Sequence, residues 1–180
     1  LESQSLRVTT TSDNTGLIAD PTVTYTSANP TGSLDLAPVA DQHGTATITV
    51  TVEDAGLDND LATTADNATF SRTFDVVVTP VNDDPTLDAI SDLTIDEDAA
   101  EQTINLAGIG AGPLESQSLR VTTTSDNTGL IADPTVTYTS ANATGSLAFT
   151  PVADQSGPST ITVTVEDAGL DNDLATTADN

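Results

Sequence analysis

The side chains here that could do chemistry are almost all carboxylates and amides. Asn82, Asp83 and Asp84 stand together ahead of Pro85, Asp96, Glu97 and Asp98 form a second run, and EDAGLDNDLATTADN at 53–67 gathers Asp58, Asn59, Asp60 and Asp66. Asp outnumbers Glu 22 to 6, and Asp with Asn is the chemistry of turns and of hard, oxygen-ligated cations. Calcium takes roughly six to eight oxygens at one place, so no adjacent pair of carboxylates suffices and separate loops must converge. The 53–67 stretch lacks the Asp-x-Asp-x-Asp-Gly pattern and distal Glu of an EF-hand. A solvated polar hairpin loop is its competing reading.

Few groups of opposite charge are available. Asp and Glu total 28 against 3 Lys and Arg, a formal net charge of -25, and the only cations of those types are Arg7, Arg72 and Arg120. Nucleic acid and anionic membrane are therefore repelled. Calcium is the obvious counterion for the excess carboxylates, and screening by a salt-rich habitat is the alternative. Without Cys there is no disulfide framework, thiol nucleophile or thiolate metal site.

Catalysis is equally poorly supplied. There is no Lys, no Gly-x-Ser-x-Gly and no phosphate-cradling loop, and the one histidine, His43, is replaced by Ser156 in an internal second copy. A carbohydrate-binding sandwich is a weak alternative, because three Phe, two Tyr and no Trp make a poor stacking platform. Asn67-Ala-Thr and Asn142-Ala-Thr fit the glycosylation sequon, a pattern that often arises by chance. No enzyme is expected.

The elements that must position the carboxylates come from that internal repeat. Residues 1–67 align without a gap with 114–180, a period of 113 residues, and differ only at Pro30/Ala143, Asp35/Ala148, Leu36/Phe149, Ala37/Thr150, His43/Ser156, Thr45/Pro158 and Ala46/Ser159. A unit of that length is the size of one sandwich domain. The best linker is TPVNDDP at 79–85, which makes 1–83 the later part of one repeat and 84–180 the earlier part of the next. On this reading each half lacks strands that the other displays: residues 84–113 are the piece missing before Leu1, and 68–83 the piece missing after Asn180.

Period-2 alternation with β-branched residues predicts strands at Pro85–Ile90 with Leu93–Ile95, Gln102–Ala107, Ser118–Thr124, Thr135–Thr139, Gly145–Thr150, Thr160–Glu166 and Phe70–Thr79. Turn signals SDNTG, ADP and DQSG separate them. The expected class is all-β, in tandem seven-stranded Greek-key sandwiches cut mid-domain at both ends, with almost no helix.

TGSLAFTPVADQSGPSTITVTVEDAG followed by a final strand and PVNDDP is similar to the cadherin-like and immunoglobulin-like tandem domains of very large bacterial surface proteins. VNDDP resembles the calcium-binding linker of cadherins, although Pro80 stands where that linker has its first Asp and Asp84 is followed directly by Pro85. The resemblance implies calcium at the junction, held by Asp41 and Gln42 on one side, by Asn82, Asp83 and Asp84 in the linker, and by Glu115 and Asp167 on the other. Asp96, Glu97 and Asp98 would serve the following junction, and Asp58 and Asp60 form a second candidate loop. It also implies an extracellular or cell-surface spacer, stalk or filament segment stiffened by calcium, whose partners are neighbouring copies of the repeat. A self-adhesive fibre or surface-layer module is the alternative.

Overall fold

The computed structural model describes residues 4–27 and 29–176. Its contacts divide the chain into unit 1, Leu1–Pro80, and unit 2, Val81–Asn180. The described residues form ten β-strands and no helix, as a Thr- and Val-rich sequence with period-2 alternation dictates.

In unit 1, β1 (Leu6–Ser12), β4 (Gly44–Asp54) and β5 (Thr69–Val78) make one antiparallel sheet in the order β1-β4-β5. β2 (Thr22–Thr24) and β3 (Ser33–Asp35) pair as a second sheet. Alternation sends Ile48 inward opposite Phe74, while Thr47 and Thr49 point the other way. The buried core is Leu17, Ile18, Ala46 and Ile48, with Val50, Val76 and Val78 packed against it.

Unit 2 uses the repeated sequence differently. β7 (Leu119–Ser125) and β10 (Ile161–Asp167) form one sheet, and β6 (Gln102–Ala107), β9 (Thr144–Phe149) and β8 (Thr135–Thr137) the other, in the order β6-β9-β8. β6, from the stretch with no counterpart in unit 1, lies along β9 with Ile104 opposite Leu147 and Leu106 opposite Gly145. Leu106, Ile109, Ala111, Leu119, Val121 and Leu147 make the core, so residues on both sheets meet across a sandwich.

One expected element is absent. Neither Pro85–Ile90 nor Leu93–Ile95 forms a strand; Thr86 makes only an isolated bridge with Gly110, and the Asp88 N–H donates to the Ala107 carbonyl. Pro85 has no N–H to give a ladder, and Asp88 and Asp92 are poor strand formers, so Leu87 alone is left to anchor the segment to the core. The strand Phe70–Thr79 is found as β5 against β4, the first-copy counterpart of Thr160–Glu166.

Candidate cation site in unit 2

Asn82 and Asp83 pack with unit 2, where the start of the repeated sequence receives them. Leu114 turns the chain at φ 59°, and in the stretch between it and β7 Glu115 and Gln117 are half-buried while Ser116 between them is exposed. Asp167 ends β10, opposite Leu119. The Asn82 amide bridges the two: its Nδ2 donates to Asp167 Oδ1 at 3.1 Å, and its Oδ1 accepts from Gln117 Nε2 at 3.0 Å. The Asp83 N–H donates to Glu115 Oε1 at 3.2 Å. Asp167 Oδ1 also accepts the Gly169 N–H at 2.8 Å.

These bonds use one side of each acid. Asp167 is 1% exposed, and its Oδ2, together with Glu115 Oε2 and Gln117 Oε1, is buried with no hydrogen-bond partner. A buried carboxylate oxygen without donor or counterion is costly. Among the described residues no Arg relieves it: Arg7 pairs with Glu53, Arg120 with Glu166, and Arg72 lies over the Phe70 ring, 4.9 Å from its centre. Gly112 completes the wall at φ +123°, and a Cβ there would meet Asp83 Cβ at 2.8 Å and Glu115 Oε2 at 3.0 Å. Among the described residues no three His, Asp or Glu side chains gather as a metal cage. What converges is two carboxylates and two amides. Gln117 was absent from the sequence-derived set, although its spacing of two from Glu115, just ahead of the β7 alternation, was the signal that could have found it.

The other predicted ligands each have their own local setting. Asp84 is exposed, beside the group and not within it. Asp41 and Gln42 belong to unit 1; Asp41 turns the chain at φ 59°, and the Gln42 N–H donates to the Val39 carbonyl. Asp96, Glu97 and Asp98 lie in an exposed turn at which Asp98 Oδ1 accepts the N–H of Asp154, the counterpart of Asp41.

The long loop satisfies its own acids. Asp58 accepts the Asp60 N–H at 2.9 Å and the Thr63 hydroxyl, Asp60 accepts the Ala62 N–H at 2.9 Å, and Asp66 accepts the Leu57 N–H at 2.7 Å. The Thr63 hydroxyl and then the Asp60 N–H hold the Asp58 carboxyl below its ordinary pKa. The second copy repeats this at Asp171 and Asp173. SDNTG is a turn in both copies: Asp13 accepts the Thr47 N–H and Asp126 the Thr160 N–H, each at 2.7 Å.

In unit 1 the counterparts of Gln117 and Asp167 are Gln4 and Asp54, both half-buried, and Asp54 Oδ1 accepts the Gly56 and Ala68 N–H groups. Glu2, the counterpart of Glu115, lies outside the described residues.

No protein-family model matches the chain. No curated protein matches it either. Among solved structures it is similar to the crystal structure of the S-layer protein SbsC domains 4 and 5, at 20% identity and a TM-score of 0.31. That match covers 88% of this chain, which spans 64% of the other chain's length.

Proposed function

We propose that this chain is a non-catalytic structural segment of a repetitive extracellular surface protein, a spacer or stalk that calcium stiffens through unit 2. The observation that carries the calcium reading is the buried, unpartnered Asp167 Oδ2, with Glu115 Oε2 and Gln117 Oε1 likewise unpartnered on side chains that bond the Asn82 amide or the Asp83 N–H. Hard oxygens of carboxylate and amide type are the ligands calcium prefers, and the group falls short of a full shell, which water or further oxygens complete. The bound ion supplies positive charge where the chain has none. Asp167, Glu115 and Gln117 would hold it, while Asn82 keeps Asp167 and Gln117 in position and the Asp83 N–H keeps Glu115 turned toward the group. Because only Val81 separates Asn82 from Pro80, fixing Asn82 and Asp83 to unit 2 shortens the stretch of chain free to bend.

The spacer reading is supported by the repeat itself, since near-identical copies serve length better than they serve a unique site. Thermal melts in millimolar calcium and in chelator test the metal, because a ligand bound only by the folded form raises stability with the logarithm of its occupancy. Replacing Asn82 with Ala should remove most of the calcium increment, and replacing Asp58 and Asp60 should leave it. Equal melting temperatures with and without calcium would refute the reading. Images of a longer repeat array should show rods in calcium and bent chains in chelator.

A second reading, a self-associating fibre or surface layer, draws support from one feature, the open apolar cleft of unit 1.

A further inference from the structure

Leu6, Val8, Val23, Leu34, Val50 and Val52 line a cleft of about 390 Å³ between the two sheets of unit 1. Their counterparts in unit 2 are Leu119, Val121, Val136, Leu147, Val163 and Val165, all members of or neighbours to a buried core that is covered at this end. What closes it is the 84–113 segment, through Leu87, Ile104, Leu106, Ile109 and Ala111. The backbone records the same gap. β9 has six residues with β6 beside it, whereas β3, which carries no strand on that side among the described residues, has three.

The receiving edge is already shaped. A Cβ placed on Gly32 would lie 3.0 Å from the Thr24 carbonyl oxygen and 3.2 Å from the Tyr25 ring, against 3.1 and 3.2 Å at Gly145 beside Thr137 and Tyr138. The tyrosine therefore stands over the glycine in both units, with the strand behind it unchanged.

We infer that the cleft of unit 1 is a docking site for an extended segment bearing the 84–113 sequence of another copy of this repeat. The segment adds as a strand to the free edge of β3, antiparallel, in the register that β6 keeps with β9. That register sets Ile104 of the segment opposite Leu34, Gln102 opposite Leu36, and Leu106 opposite Gly32, with the Leu106 and Ile109 side chains entering the cleft. Main-chain hydrogen bonds supply affinity, and the alternate apolar side chains supply specificity. The donor is a segment not already folded into its own unit 2, because drawing it from there would open an equal gap and bury no net surface.

The test uses the full chain and a synthetic peptide of residues 84–113, in chelator, so that failure of the calcium reading leaves it untouched. One peptide should bind per chain, extend amide protection from Ser33–Asp35 to Thr31 and Leu36, and leave β9 unchanged. The peptide carrying Leu106→Asp, or the chain carrying Leu34→Asp, should bind roughly tenfold more weakly or worse, since each replaces a buried leucine with a charge. The chain has no cysteine, so register is read by disulfide formation between Leu36→Cys in the chain and Gln102→Cys in the peptide, with Thr103→Cys as the slipped control. Binding unaffected by Leu106→Asp overturns the proposal, as does equal cross-linking of the slipped peptide. So does closure of the cleft by dimerisation of the chain alone, or absence of binding when the unaltered chain is folded.

Discussion

Unit 1 and unit 2 share one sequence for most of their length and bury opposite ends of it. In unit 1, β5 covers the lower end, so Ile48 is 0% exposed and Ile18 1%, while Leu6 and Val8 border an open cleft. In unit 2, β6 and its flanking residues cover the upper end, so Leu119 and Val121 are buried. There Ile131 and Ile161 line an open cleft of about 580 Å³ with Phe149 and Leu147. Ile48 and Ile161 are the same residue, each followed by TVTVEDAG; Pro158 and Ser159 replace Thr45 and Ala46 just before it, and different distant strands reach the two. Burial in this repeat is therefore decided by non-local strand partners, each able to close one half of a sandwich.

The largest effects should come from truncating residues that are buried in one copy and bordering a cleft in the other. Ile48→Ala should destabilise unit 1 by about 2–5 kcal/mol, and Ile161→Ala should destabilise unit 2 by less than half as much. Leu119→Ala and Leu6→Ala should show the reverse asymmetry, with unit 2 losing more. Denaturation followed by amide exchange in each unit reads all four, and equal losses within either pair would break the comparison.

Adding the sequence of residues 68–80 after Asn180 should close the lower cleft of unit 2. The appended strand should protect the amides of Ile161–Asp167 and stabilise the unit by more than about 1.5 kcal/mol, the worth of burying one large aliphatic side chain. An unaltered exchange pattern along β10 would show that β5 stabilises unit 1 for some reason its counterpart cannot supply.

Asp167 and Asp54 sharpen the comparison at the site. Asp167→Asn should remove the calcium-dependent rise in melting temperature of unit 2, roughly 4 °C or more at saturating calcium. Asp54→Asn should leave that rise intact, since unit 1 shows no counterpart of the Asn82 bridge among its described residues. Loss of the increment in both variants would mean that the ion is held by something the two copies share.

The smallest effect concerns Glu53, whose carboxyl is held below its ordinary pKa first by the Asn67 side chain, at 3.0 Å, and then by Arg7. A lowered folded-state pKa contributes stability above the unfolded value and loses it as pH falls through the folded one. Asn67→Ala should therefore flatten the acid limb of the pH–stability profile slightly below the ordinary glutamate range, and change nothing near neutrality. Glu53 and Asn67 are half-buried, but Arg7 reaches Glu53 from the surface, so high salt should weaken the Arg7 share of the effect.

The repeat, the all-β class, most of the strands and the carboxyl-rich turns were legible in the sequence. Alternation of Ile, Val and Thr fixes which face of a strand is apolar, and Asp-Asn-Gly turn signals are local chemistry that survives in any fold. The amide and acid identities at Asn82, Asp83, Glu115 and Asp167 could also be read, because the residue types name the chemistry before geometry does. Three matters needed the tertiary structure. Pro85–Ile95 looks like strand by composition, yet no neighbouring edge takes it up beyond one bridge and one hydrogen bond. Gln117 gains its importance only because Asn82 lies across it and Asp167 at once, which sets residues 85 apart in sequence at 3.1 Å. And identical residues in the two copies were buried or left open according to strands far along the chain, since alternation specifies an apolar face but not what will cover it.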